Sequence, residues 1–402
     1  MKILIIGAGG VGNAMAVALS GRDFFESCVV ADVDEARARR TVDRLSADSR
    51  FRAASVDASS QADVTALARS TGADVVVNAC DPRFNPGIFH GTFDAGVNYM
   101  DMAMTLSQPH PTNPLAETGV MLGDEQFAAS EAWNERGLLA LCGLGIEPGF
   151  ADVAARYAAD HLFSHIDKVG VRDGANLVID GYAFAPTFSI WTTIEECLNP
   201  PVVWERDRGW YCLPPFSEPE MFKFPEGIGE VECVHVEHEE VLLVPRWIDC
   251  DKVTFKYGLG DEFIGVLETL HKLGLDRTPT VKVRGVEVSP RDVVAACLPD
   301  PATLGDKMTG KTCAGTYVTG TGVDGKPRRS YIYHVSDNEE TMAKHGCQAV
   351  VWQTAINPVF ALELMANGIW QGAGVLGPEA FDAVPYLDLM KARDEPWAID
   401  ER

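Results

Sequence analysis

Two glycine-rich strings carry the residues best placed to do chemistry. The first is Gly7-Ala8-Gly9-Gly10-Val11-Gly12, a G-x-G-x-x-G that follows the apolar run Lys2 to Ile6 and opens a helical pattern through Met15, Val17, Ala18 and Leu19. This spacing suits a turn that seats a pyrophosphate. Gly7 allows the tight strand-to-helix turn, Gly9 the close approach of backbone, and Gly12 the packing of helix on strand. The helix start, at Gly10 and Val11, adds free N–H groups and a positive dipole end. The second string is Gly145-Ile146-Glu147-Pro148-Gly149, where a carboxylate precedes a helix predicted from about Phe150 to Leu162. Pro148 suits a first helical turn. The helix dipole stabilises a carboxylate there by about 0.3–1 kcal/mol, so capping alone also accounts for Glu147.

A second apolar run, Cys28 to Ala31, ends on Asp32, twenty residues after Gly12. A carboxylate at that place accepts hydrogen bonds from an adenosine ribose and repels a 2′-phosphate, which predicts NAD, with Val33 beside it. Arg37, Arg39 and Arg40 keep NADP open, since one of them could fold back; as a solvated helix face they would not. The predicted strand Phe51 to Val56 ends at Asp57-Ala58, where the adenine is expected. Ala73 to Ala79 is a continuous apolar strand whose end, Asn78, Ala79 and Cys80, should face the nicotinamide ribose.

These residues need a parallel sheet to position them. Strands alternate with helices at 34–46, 61–70, 84–95 and 124–136, and two further strand ends fall at Asn98 to Met102 and Leu138 to Leu141. Such alternation predicts an α/β chain: an N-terminal Rossmann domain with a parallel sheet over 1–148, completed by C-terminal helices from 346–402. A second, α+β domain with a mixed or antiparallel sheet is predicted over 149–345. Its strands are read at Val169 to Val171, Val231 to Val244, Val253 to Tyr257, Val281 to Val283 and Cys313 to Val318, and its helices near 192–197, 263–272 and 291–297.

Composition bounds the partners. A formal charge of −24 argues against nucleic acid and anionic membranes, and it could attract a cationic amine. No run of 18 or more apolar residues is present, so no membrane span is expected. Ten cysteines at scattered spacings, with the fold beginning at Lys2, read as reduced thiols of a cytoplasmic protein. Gly305-Asp306-Lys307-Met308-Thr309-Gly310-Lys311-Thr312 satisfies G-x-x-x-x-G-K-T, but it precedes a predicted strand rather than a helix, which argues against a phosphate loop. Cys233, His235 and His238 cannot all face one side of a strand. No metal is expected, and Glu237-His238-Glu239-Glu240 reads as a solvated strand end or subunit contact. Among Arg172, Arg206, Arg246 and Arg284, Arg172 is the candidate to grip a substrate carboxylate bidentately, because it ends a strand before Asp173-Gly174.

Four segments in order, IIGAGGVG, the Gly145–Gly149 loop, Phe184 to Pro200 and Ala361 to Phe381, resemble the saccharopine dehydrogenase-like family. That family includes saccharopine reductases, lysine 6-dehydrogenases and carboxynorspermidine-type dehydrogenases. The resemblance implies a homodimeric enzyme for NAD(P)-linked hydride transfer at a carbon bonded to nitrogen, in an amino-acid or polyamine-derived secondary amine. It implies that Glu147 contacts the substrate amine, with Gly145 and Pro148 around it. It sets Ser189 and Trp191 in a segment that closes over substrate, though Trp191-Thr192-Thr193 departs from the family pattern. Tyr99 and Met100 are implied as substrate contacts and Asp101 as a catalytic group beside the nicotinamide. Saccharopine is the leading substrate on this resemblance, with lysine or a carboxylated polyamine as alternatives; a protein that senses nucleotides without turnover is the rival of another class.

Overall fold

The computed structural model describes residues 1–402. Apolar runs at the predicted places form six strands: β1 Lys2–Ile6, β2 Ser27–Asp32, β3 Phe51–Ser55, β4 Val75–Asn78, β5 Asn98–Asp101 and β6 Leu139–Leu141. They pair in parallel in the order β6-β5-β4-β1-β2-β3, and a seventh strand, Gly374–Leu376, adds beside β6. The helix α1, Gly10–Ser20, packs against a later helix, Ala349–Ala366. That later helix is long and apolar enough to cross a membrane, but 78% of it is buried inside the protein. It is a core helix, and its apolar length is explained by neighbours on every side.

The second sheet has nine strands and is mixed. Its centre is β7, Phe163–Ala175, which pairs in parallel with Lys252–Tyr257 and antiparallel with Lys311–Gly322. Pro327–Asp337 follows, and then Trp397–Glu401. One apolar core of 82 buried residues runs through both sheets, so the two halves share an interior rather than meeting across water.

Three expectations are corrected. The strand read over Val231 to Val244 stops at His235, and a helix begins at Glu240 and ends at Trp247. Residues 346–402 do not all return to the first domain: Gly374–Leu376 does, but Trp397–Glu401 pairs with Pro327–Asp337 in the second sheet. β7 runs past Arg172 to Ala175, so Arg172 lies within a strand and not at its end. As expected from the sequence, Gly310-Lys311-Thr312 leads into a strand.

Candidate active site

The glycine loop sits at the carboxyl ends of β1 and β4. A Cβ at Gly12 would lie 1.9 Å from the Gly7 carbonyl oxygen, whereas a Cβ at Gly9 would meet nothing within 4 Å. The loop is therefore locked on its protein side and open on its cleft side. α1 has no side-chain cap, which leaves its first N–H groups free for an anion. Asp32 braces this loop: one carboxylate oxygen accepts the Ala8 N–H and the other the Asp34 N–H, both at 2.9 Å. Gly10, Val11, Asn78, Ala79 and Cys80 all line the adjoining cavity. These features fit a dinucleotide, with its pyrophosphate at the glycine loop and its nicotinamide end toward Asn78 to Cys80. Val33 is exposed beside Asp32, and Asp57 is exposed and bonded to Ser59, on the rim where an adenosine would lie. Ala58, next to it, is partly buried against the core.

Beyond the nicotinamide end the cavity, about 250 Å³, has an acidic wall. Glu147, Glu196 and Glu239 line it with His238, and no lysine or arginine does. Glu147 is presented by a tight loop in which Gly149 takes φ +134°, and a Cβ there would lie 2.1 Å from the Gly145 carbonyl oxygen. Pro148 lines the cavity, while Gly145 lies beneath it with its N–H bonded to the Pro148 carbonyl. Glu147 faces Asp173 from β7 at hydrogen-bond range. Glu147 Oε2 and Asp173 Oδ1 are buried and receive no N–H or O–H. Burial, reinforced by Asp173, holds the Glu147 carboxyl well above the usual carboxylate range. Burial also pushes Asp173 up to about 6 and Glu196 up to about 8. The pair can thus keep one proton between two oxygens, a store that a substrate nitrogen can draw on or fill.

The helix Ile190–Leu198 explains which predicted residues reach the cleft. Ser189, Thr192, Thr193 and Glu196 follow i, i+3, i+4, i+7 spacing and line the cavity. Trp191 does not. It faces away, lodged between Arg83 and Arg291 with its indole N–H on Asp292. Arg172 is likewise withdrawn from the substrate. Its guanidinium is fully buried and bonded to Glu220 at 3.0 Å and to the Val171 carbonyl at 2.7 Å. Successive strand residues point to opposite faces, so Asp173 turns toward Glu147 while Arg172 turns away.

Tyr99, Met100 and Asp101 lie under the cleft rather than in it, all fully buried in the middle of the sheet. Asp101 accepts hydrogen bonds from the Gly143 N–H at 2.7 Å and the Gln126 amide at 2.6 Å, and burial pushes its carboxyl up to about 7. Tyr99 is bonded through its hydroxyl to the Asn78 amide. The cavity is reached instead by the next residues, Met102 and Ala103. Asp101 therefore anchors the loop that leads to Glu147.

The segment read as a solvated strand end is the largest departure. Glu237, His238, Glu239 and Glu240 are each at most 5% exposed. Glu237 accepts from Ser107 and Asn199, Glu239 from the Met104 N–H, and His238 stacks on Phe255 with Nδ1 on Glu240. Only the break in alternation at Cys233-Val234 hints at this inward turn.

Comparisons with known proteins agree with the geometry. A family model described as the saccharopine dehydrogenase NADP binding domain matches residues 3–141, and one described as the saccharopine dehydrogenase C-terminal domain matches residues 145–395. Carboxynorspermidine synthase of Vibrio alginolyticus is 30% identical, over 100% of this chain and 97% of the relative. Carboxyaminopropylagmatine dehydrogenase of Synechocystis is 28% identical, over 98% and 96%. The saccharopine dehydrogenase (L-Glu forming) of Saccharomyces cerevisiae shares the fold at TM-score 0.69 and 13% identity, over 100% and 99%. With the glycine loop, the Glu147 loop and both matched domains in one chain, this protein belongs to the saccharopine dehydrogenase family of nicotinamide-dinucleotide oxidoreductases.

Proposed function

We propose that the chain joins an aldehyde to a cationic primary amine and reduces the product, making a carboxylated polyamine-type secondary amine. The observation that carries this is the acidic, lysine- and arginine-free wall of the cavity. Saccharopine bears three carboxylates, and no lysine or arginine lines the cavity to pair with them, so the polyamine-type alternative is favoured over it. Two relatives named for carboxynorspermidine and carboxyaminopropylagmatine support the same reading.

The amine enters as an ammonium and must lose a proton to attack. Glu147 and Asp173, with their raised affinity for protons, accept it. Nitrogen then adds to the aldehyde carbon, the pair returns its proton to the carbinolamine hydroxyl so that water leaves, and the carboxylate pair then holds the positive iminium nitrogen that results. A bound reduced nicotinamide supplies the hydride that turns the iminium carbon into an amine carbon. Ser189 and Thr192, at the start of a helix, are placed to receive the aldehyde's own carboxylate through their hydroxyls, while the N–H and hydroxyl of Thr193 are held by the Ser189 carbonyl. NAD is the preferred cofactor on this reading. What supports it is Asp32 at the end of β2, where a carboxylate suits ribose hydroxyls and repels a 2′-phosphate, and Arg37, Arg39 and Arg40, which each face an acid, respectively Asp300, Glu35 and Asp34.

The test is absorbance at 340 nm with reduced cofactor, an α-amino-acid semialdehyde and 1,3-diaminopropane, putrescine or agmatine, beside saccharopine and lysine with oxidised cofactor. Turnover is expected with the amines. Turnover on saccharopine alone would overturn the assignment.

A further inference from the structure

We propose that a second cavity is the subsite for a second positive charge, carried at the far end of the amine substrate; this rests on the function proposed above. The cavity, about 480 Å³, shares Phe188, Thr193, Tyr257 and Val350 with the first, so the two are lobes of one cleft. Asp173 joins them: it lines the second lobe and faces Glu147 in the first. Asp173 is 4% exposed and its Oδ1 receives no hydrogen bond. A buried carboxylate oxygen without a donor is costly unless a proton or a cation comes to it.

The rest of the second lobe also suits a cation. Its charged groups are Asp173, Asp261 and Glu262, again with no lysine or arginine among the lining residues. Phe184 and Phe263 line it as a contacting pair, ring centres 5.0 Å apart, and aromatic faces attract ammonium and guanidinium heads. Tyr182, on the same wall, already holds the Lys307 ammonium 4.7 Å from its ring centre. A dication can therefore place its reacting nitrogen at Glu147, run its alkyl arm past Thr193 and Tyr257, and set its distal head between these rings and the acids of the outer rim. A monoamine of the same length leaves the outer lobe unused.

Calorimetric titration of putrescine, agmatine and n-butylamine into the protein tests this, because all three carry a four-carbon arm. Both dications should bind at least tenfold more tightly than butylamine. A double variant, Asp261→Asn with Glu262→Gln, alters two exposed side chains and should reduce that advantage to less than threefold while butylamine affinity stays constant. Preference for agmatine over putrescine would identify the head as guanidinium, and the reverse order as ammonium. Equal binding of butylamine and putrescine, or an advantage unchanged in the double variant, would overturn the subsite. The two proposals fail separately. Turnover with equal KM for butylamine and putrescine removes the subsite and keeps the reaction; selective binding without turnover removes the reaction and keeps the subsite.

Discussion

Replacing Glu196 by glutamine should change how stability depends on pH. Glu196 lines the cleft, and burial with the nearby Glu239, Glu237 and Glu240 raises its carboxyl from 4.5 to about 8. Between those two values the folded protein keeps a proton that the unfolded chain releases. The contribution is fully present below pH 4.5 and is lost as pH rises through about 8. Each pH unit of that gap is worth about 1.4 kcal/mol, which sets a ceiling of about 5 kcal/mol. Because the side chain borders a water-accessible cleft, solvent screening brings the observable part to about 2–3 kcal/mol. Glutamine cannot titrate. Relative to the wild type, Glu196→Gln should therefore gain about 2–3 kcal/mol between pH 5 and pH 9. Urea unfolding of both proteins at pH 5, 7 and 9, without amine, gives the difference from midpoint and slope. A difference that stays constant within about 0.5 kcal/mol across that range would show that Glu196 is not held protonated by the fold.

Three other substitutions probe the site. Glu147→Gln should lower kcat by about 10²–10³, the loss typical of one removed charge-stabilising group, with cofactor affinity by fluorescence titration unchanged; wild-type turnover would remove Glu147 from the mechanism. Asp32→Ala should shift the NAD-to-NADP ratio of kcat/KM toward NADP by at least about tenfold, and an unchanged ratio would show that Asp32 only braces the glycine loop. Arg172→Met should destabilise the protein by about 1.5–3 kcal/mol, because Glu220 keeps Lys256 but loses its two hydrogen bonds from the guanidinium, while the KM for amine stays constant. A raised KM with an unchanged melting temperature would return Arg172 to the substrate.

What could be read from the sequence was what depends on near neighbours along the chain. The glycine loop, the strands around it and the Gly145–Gly149 loop are each specified within a dozen residues, and they placed Asn78 and Glu147 on the cleft. Residues whose role depends on distant contacts were misread. Trp191 and Ser189 are two positions apart, and only the helical phase of Ile190–Leu198 separates the buried indole from the cleft-facing hydroxyl. The run from Glu237 to Glu240 has the composition of a solvated surface, yet Ser107, Asn199 and Met104, 38 to 135 residues away, turn it inward. The strand Pro327–Asp337 opens with a proline and two arginines and carries scattered polar residues, so its alternation is weak until Lys311–Gly322 pairs with it. Trp397–Glu401 is short, and nothing local marks it as the edge of a sheet whose other strands lie far upstream.

That last strand has a consequence for how the protein is made. The edge of the first sheet is filled by Gly374–Leu376 and the edge of the second by Trp397–Glu401, so neither sheet is complete from a contiguous stretch of chain. A ribosome that has released the first 300 residues has released two unfinished sheets with open edges, each able to pair with a stranger. Both edge strands come from residues 374–401, well downstream of the strands they join. Folding should therefore wait for that one stretch to supply both sheets, rather than proceed domain by domain along the chain. Until residues 374–401 have been made, the nascent chain would depend on protection from aggregation.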